Sequence, residues 1–266
     1  MRYTAEYHYD PAGNRTKKIV NGSGVTLYAY NALNQLTGEQ TSGQEPIAYG
    51  YDANGNQTSR TQGQGPTAKV ETFGYDFAYR ISSYTRAVGG VPEAAWLYRT
   101  AASGERLAKI DALASTMETE WYMSDGADVC ADYAQTGDGP LVPKAAYVQG
   151  LGIDSKLARL TLDAAGLVID TNWFAPDALG SVHQILGSDG ALLSMDLTTA
   201  WGERLPASTF SFPSATNSRY GYTQREDDSE SGLMHFRARS YDPRWGGSGR
   251  LSRRYASARL NTTAMS

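Results

Sequence analysis

The sequence predicts an all-β protein of tandem β-hairpins joined into a twisted ribbon, and three observations carry that expectation. Tyrosine pairs recur with the period of two that places both rings on one face of a strand. Each pair runs directly into an Asp- or Asn-led turn. The whole unit then returns at fixed spacing, with Tyr9, Tyr30 and Tyr51 each 21 residues apart, as expected of a repeat architecture.

The first unit, Tyr7-His8-Tyr9-Asp10-Pro11-Ala12-Gly13-Asn14, sets the grammar. Asp10 can accept hydrogen bonds from the backbone ahead of it, Pro11 pre-sets φ, and Gly13 can take the left-handed conformation of a bulged hairpin loop. Tyr28-Ala29-Tyr30-Asn31-Ala32-Leu33-Asn34 repeats the unit with asparagine at both turn positions. Tyr49-Gly50-Tyr51-Asp52-Ala53-Asn54-Gly55 restores Asp52 and Gly55. A fourth copy, Phe73-Gly74-Tyr75-Asp76-Phe77-Ala78-Tyr79, arrives after 24 residues with Tyr79 in place of glycine, so its turn is expected to differ. Residues 1–100 form this YD-type block, with Asn21-Gly22 marking a further hairpin. A lone hairpin is marginal in water, so the copies are expected to stack edge to edge, tyrosine rings packing across strands and hydroxyls staying wet.

Residues 101–145 read as irregular connecting repeats. Leu107, Ile110, Leu113 and Met117 lie near helical spacing, and a short helix or further strands both fit. From Ala146 the hairpin grammar returns: Asp163-Ala164-Ala165-Gly166, Asp177-Ala178-Leu179-Gly180 and Gly187-Ser188-Asp189-Gly190 each separate extended, more apolar runs.

Composition narrows the function classes. Eighteen Tyr and 28 Gly against six Phe describe amphipathic aromatics punctuated by turns, and the net charge of −4 gives no global reason to expect nucleic acid. Cys130, the single cysteine, excludes an intramolecular disulfide and reads as a small buried apolar residue. No 18-residue apolar run occurs, so no membrane insertion is expected. The start is abrupt, with no secretory signal, which suggests a piece of something longer. No cofactor is expected: three scattered histidines make a poor metal site, and Gly150-Leu151-Gly152 is too short for a phosphate loop. Ser181, His183 and Asp177 form a triad only on paper.

The tandem Tyr-x-Tyr-Asp-x-x-Gly-Asn units resemble the YD repeats of bacterial RHS-type proteins. A later run resembles the RHS repeat-associated core segment: Tyr147 to Asp154, Asp177 to Val182, Tyr220 to Glu226 and Gly232 to Pro243, placed in residues 146–245. The resemblance covers roughly residues 1–245 and implies a ribbon wound into a partial hollow shell capped by the core segment. Such a shell would be secreted or lie at the cell surface as part of a longer protein. Its expected partners are upstream shell repeats and an enclosed, variable C-terminal toxin domain. The residues expected to carry the repeat are Tyr7, Tyr9, Asp10, Gly13, Tyr28, Tyr30, Tyr49, Tyr51, Asp52, Gly55, Tyr75 and Asp76. Those of the core signature are Asp177, Gly180, Arg237, Arg239, Tyr241 and Asp242. Arg237 and Arg239 are expected to share a strand face and pair with carboxylates of an adjacent turn.

The pattern departs after Tyr241-Asp242-Pro243. The family continues into an aspartate-containing site where its core segments cut their own chain, but no Asp or Glu follows Asp242 here. No catalytic residue and no autoproteolysis are therefore expected. The tail, residues 246–266, is basic; it reads as a solvated end, as an arm with too few aromatics for nucleic acid, or as the product of a truncation or frame shift. The competing function is an adhesion or carbohydrate-binding module in which exposed tyrosines stack on sugars.

Overall fold

The computed structural model describes residues 3–205, 218–237 and 239–248. Residues 249–266 of the basic tail lie outside it. Among the described residues, seventeen strands follow one another as an antiparallel meander: β1 (Ala5–Tyr9), β2 (Arg15–Val20), β3 (Gly24–Tyr30), β4 (Leu36–Thr41), β5 (Ile47–Tyr51), β6 (Gln57–Gln62), β7 (Lys69–Tyr75), β8 (Ile81–Val88) and β9 (Val91–Thr100). It continues through β10 (Arg106–Asp111), β11 (Glu118–Asp125), β12 (Asp128–Thr136), β13 (Val142–Gln149), β14 (Lys156–Leu162), β15 (Val168–Pro176), β16 (Val182–Leu186) and β17 (Leu192–Met195). Each strand pairs with the next in sequence. A separate four-stranded antiparallel sheet comprises β18 (Glu226–Asp228), β19 (Leu233–Phe236), β20 (Arg239–Asp242) and β21 (Gly247–Ser248); with residues 218–225, which lead into it and bridge to it at Tyr220, it forms the cap.

The repeat turn is one hydrogen-bonded motif used many times. In the third unit the Gly55 N–H donates to the Asp52 carbonyl (3.0 Å) and the Asp52 N–H to the Asn56 carbonyl (2.9 Å). Asp52 Oδ1 accepts from the Asn54 and Asn56 amides. This is a type I turn closed by a left-handed residue and a bulge, which the register shift between Gly50 and Tyr51 records. Asp10, Asn31, Asp76, Asp163 and Asp177 close the same two backbone bonds.

The fourth turn does not differ, contrary to expectation. Tyr79 takes φ 62 and donates its N–H to the Asp76 carbonyl, as glycine does in its siblings. Two Asp76 side-chain bonds, from the Ala78 and Arg80 amides, hold the motif without glycine. A further copy, Ala101 to Glu105, closes both backbone bonds although alanine replaces aspartate. The run from Leu107 to Met117 is not helical: it falls on β10, a following loop and the approach to β11. Cys130 is only half-buried, its thiol donating to the Met123 carbonyl.

The tyrosine hydroxyls are not left in water. The second tyrosine of a unit reaches back to the unit before it: Tyr30 donates to the Arg15 carbonyl (3.1 Å), Tyr51 to that of Leu36 (2.8 Å) and Tyr75 to that of Gln57 (2.8 Å). The three acceptors occupy one position of the repeat, directly after the turn, so each hydroxyl ties successive hairpins together. The first aromatic of each unit is buried deeper, as Tyr28, Tyr49, Phe73 and Tyr98 show.

The ribbon must curl. Residues from β2 to β14 reach cap residues or the segment that packs with them. Twelve interstrand steps laid flat would span roughly 58 Å at about 4.8 Å each, against about 14 Å across four cap strands. Only a ribbon wrapped around the cap brings both ends to it, which is the partial hollow shell expected from the sequence.

Candidate functional site at the ribbon–cap interface

The cap-facing side of the ribbon carries cations on β2, β6, β8, β10 and β14. On β6, Arg60 is 3 % exposed in its side chain and makes a two-pronged bond to Glu71 of β7 (2.5 and 2.8 Å). It also reaches the cap at Asp242 (3.1 Å) and the Ser231 carbonyl (2.8 Å). On β10, Arg106 grips Asp228 through both terminal guanidinium nitrogens (2.5 and 2.8 Å). Lys109, one bulge further along the same strand, meets Glu230 (2.7 Å), whose other oxygen accepts from the Tyr98 hydroxyl (2.6 Å). The Arg86 guanidinium adds a contact to the Glu230 carbonyl. The turn between β18 and β19 is thus held by three arginines, a lysine and a tyrosine.

The same logic runs outward in both directions. On β2, Arg15 donates to the Arg244 carbonyl (2.5 Å) while its guanidinium stacks among Tyr7, Tyr28 and Trp201, and Lys18 pairs with Glu203 (2.8 Å). On β14, the Lys156 amide donates to the Gln224 side chain (2.5 Å). Polarity then reverses: ribbon carboxylates Asp132 and Asp154 receive the cap arginines Arg219 (2.5 Å), and Arg225 and Arg237 (2.6 and 3.0 Å). Planar guanidinium forks suit such buried two-point bonds.

Between these charges the cap inserts three apolar anchors into three aromatic clusters of the ribbon. Tyr220 joins Tyr122, Tyr147, Phe174 and Ile185. Leu233 enters the cluster of Phe73, Tyr84 and Tyr98. Trp245 packs against Tyr28, Leu36 and Tyr49. The anchors supply apolar burial, whereas the charged pairs fix position, because each buried charge is costly unless its partner is in place.

Burial and neighbouring charge set the protonation states. Burial alone would raise Glu226, but Arg219 and Arg106 pull it down to about 2. Burial lowers His235 to about 4, aided by Arg106, so its ring is neutral at neutral pH. Burial raises Asp227 to about 6 despite Arg204. The phenols that donate to carboxylates, Tyr49 to Glu39 and Tyr98 to Glu230, are pushed up by burial and stay protonated. A cavity of ≈ 990 Å³ lies between ribbon and cap, lined by residues including Lys69, Arg86, Glu118, Asp132, Lys144 and Arg159. Among the described residues, no group of three or more His, Cys, Asp or Glu is arranged to hold a metal ion. No helix among them is long and apolar enough to cross a membrane.

The residues expected from sequence fall into three places. Asp10, Gly13, Asp52, Gly55, Asp76, Asp177 and Gly180 lie in the repeat turns, with positive φ at all three glycines. Tyr7 meets Trp201 edge-on (6.4 Å), and Tyr9 is 47 % exposed on the edge strand. Tyr28 and Tyr49 lie in an aromatic cluster, with Tyr30 and Tyr51 packed against it. Tyr75 packs against another. At the interface itself stand Tyr241, donating to the Trp201 carbonyl (2.8 Å), Asp242 and Arg237. Arg237 and Arg239 do not share a strand face: Arg237 occupies the turn between β19 and β20 with φ 53, and Arg239 opens β20. Arg237 nevertheless reaches Asp154 from there.

Sequence reasoning missed the interface cations Arg15, Arg60, Arg106 and Lys109 and the cap carboxylates Asp228 and Glu230. One signal was present: Arg15 follows Asn14 of the first turn as Arg106 follows Glu105 of the fifth.

Comparison with known proteins agrees with this geometry. The family described as RHS Repeat matches residues 30–67. The tRNA3(Ser)-specific nuclease WapA of Bacillus spizizenii is 28 % identical over 244 residues, covering 91 % of this chain and 9 % of the relative. The tRNA nuclease WapA of Bacillus subtilis is 27 % identical over the same shares. The chain thus spans less than a tenth of the length of the curated relatives it matches. Among solved structures, a TcdB2–TccC3 complex aligns with TM-score 0.52 at 15 % identity, over 93 % of this chain and 16 % of that one. The Photorhabdus luminescens Tc holotoxin pore aligns with TM-score 0.54 at 15 % identity, over 94 % and 15 %. These likenesses establish a shared fold.

Proposed function

We propose, because this chain is built of RHS/YD repeats, that it is the shell-and-cap segment of a bacterial RHS-type toxin and encloses a variable C-terminal toxin domain. The carrying observation is the cap itself, seated inside the curled ribbon by buried ion pairs from its middle strands and hydrogen bonds from both ends, with a cavity beside it. A sugar-binding module would want open tyrosine faces, whereas Tyr30 and Tyr51 are half-buried with their hydroxyls spent on the backbone. Upstream repeats would continue the ribbon at the outer edge of β1, whose described partner is β2 alone. The protein would act outside the producing cell or at its surface.

In this reading the segment contributes structure and not catalysis. Protease protection tests it: a passenger domain encoded after this segment, in a full-length RHS toxin that carries it, should resist digestion until the cap is destabilised. A passenger cut as fast as the free domain would sink the proposal. Autoproteolysis is not expected, since the chain has no carboxylate after Asp242; purified protein incubated for days should run at its full mass, and a discrete shorter fragment would contradict this.

A further inference from the structure

A second, smaller pocket of ≈ 40 Å³ lies where β10, the loop before β14 and the cap meet. Three of its lining residues present a buried polar atom with no hydrogen-bond partner, Arg106 Nε, Tyr220 Oη and Arg237 Nε, while Glu226 Oε2, 2.9 Å from Arg219 Nη2, keeps room for a second bond. Arg106 and Tyr220 are almost wholly buried, at 4 % and 2 % exposure, so bulk solvent is no substitute for a bound partner.

The chemistry of the lining selects that partner. An apolar guest would leave all three donors unsatisfied. An anion would face the Glu226 carboxylate, and a cation would face two guanidinium edges. The formal charges also cancel, Arg106, Lys156, Arg225 and Arg237 against Glu105, Asp128, Asp154 and Glu226, so no net field favours either ion. What remains is a small neutral molecule that both donates and accepts.

We infer that this pocket binds ordered water, about two molecules given its volume, which bridges Arg106 of the ribbon to Tyr220 and Glu226 of the cap. Water accepts from the Arg106 and Arg237 Nε–H groups and donates to Glu226 Oε2, with the Tyr220 hydroxyl able to play either part. The neutral ring of His235, also in the lining, offers a further nitrogen. The ribbon and cap are therefore joined here by solvent built into the structure. This inference holds whether or not the segment encloses a toxin.

Crystals of the full chain grown in sodium bromide test it. The expected result is density for water within hydrogen-bond distance of Arg106 Nε and Tyr220 Oη, with no anomalous signal. An anomalous bromide peak in the pocket would overturn it, as would side chains closed onto one another around a dry space. In solution, oxygen-17 relaxation dispersion should count fewer long-lived waters in Tyr220→Phe than in the parent. The variant keeps the ring that packs edge-on against Tyr147 (5.2 Å) and loses only the hydroxyl, so an unchanged count would refute Tyr220 as a ligand.

Discussion

A Cβ added at Gly13 would meet no heavy atom within 4 Å, yet the residue sits at φ 87. Gly13→Val therefore isolates backbone strain from steric clash, and it should lower stability by about 1–3 kcal/mol in chemical denaturation. An unchanged midpoint would show that the turn relaxes. Tyr79 tolerates the same region at φ 62 because its turn is fixed from the Asp76 side. Sequence reasoning put too much weight on glycine here: the two backbone bonds define the motif, and the leading aspartate and the glycine each support it without being required, as Ala101 and Tyr79 show. The hydroxyl bonds between hairpins give a second residue-scale expectation. Tyr30→Phe, Tyr51→Phe and Tyr75→Phe should each cost about 0.5–1.5 kcal/mol, with similar values because the bonds are equivalent by position. A wide spread among the three would argue against a common role.

At the scale of strands and turns, the YD block was legible because its rules are local. A tyrosine pair and its turn span about ten residues, and nothing distant is needed to read them. The turn at Ala101–Gly104 escaped notice because alanine leaves no side-chain signal, although its backbone bonds match its siblings. The interface was illegible for a different reason: Arg106 and Asp228 are 122 residues apart, and no local pattern pairs them. Their bond makes a sharp prediction. Arg106→Met strands a buried carboxylate and should cost about 3–5 kcal/mol, whereas adding Asp228→Leu should recover much of the loss. If the double variant is as unstable as the single one, the pair is not an isolated unit.

For the whole molecule, acid is the natural probe of the seated cap. His235 is neutral when folded, with its value lowered to about 4 by burial and Arg106, while the unfolded imidazole titrates near 6.5. The stability it contributes is complete above pH 6.5 and is lost as pH falls towards 4, because the unfolded chain takes up the proton first. Asp227, raised by burial to about 6, works in the opposite direction below that pH, so the comparison must be between variants. His235→Gln should lose less stability than the parent between pH 6.5 and 4, as thermal melts at both values would reveal; parallel losses would remove His235 from the account. The all-β class and the ribbon followed from repeat spacing, whereas the cap's place inside it depended on contacts far apart in sequence.

The strictly sequential pairing of the ribbon also has a consequence for its synthesis. Each strand finds its neighbour as soon as the next hairpin emerges, so the ribbon can be laid down in order as the chain grows. The cap comes last and must meet residues up to 229 positions behind it. A slip of one residue anywhere in the ribbon would turn Arg60 or Arg106 to the opposite face and leave Asp242 or Asp228 without its mate. Closure therefore works as a final inspection, passed only by a chain whose every earlier strand was laid in register.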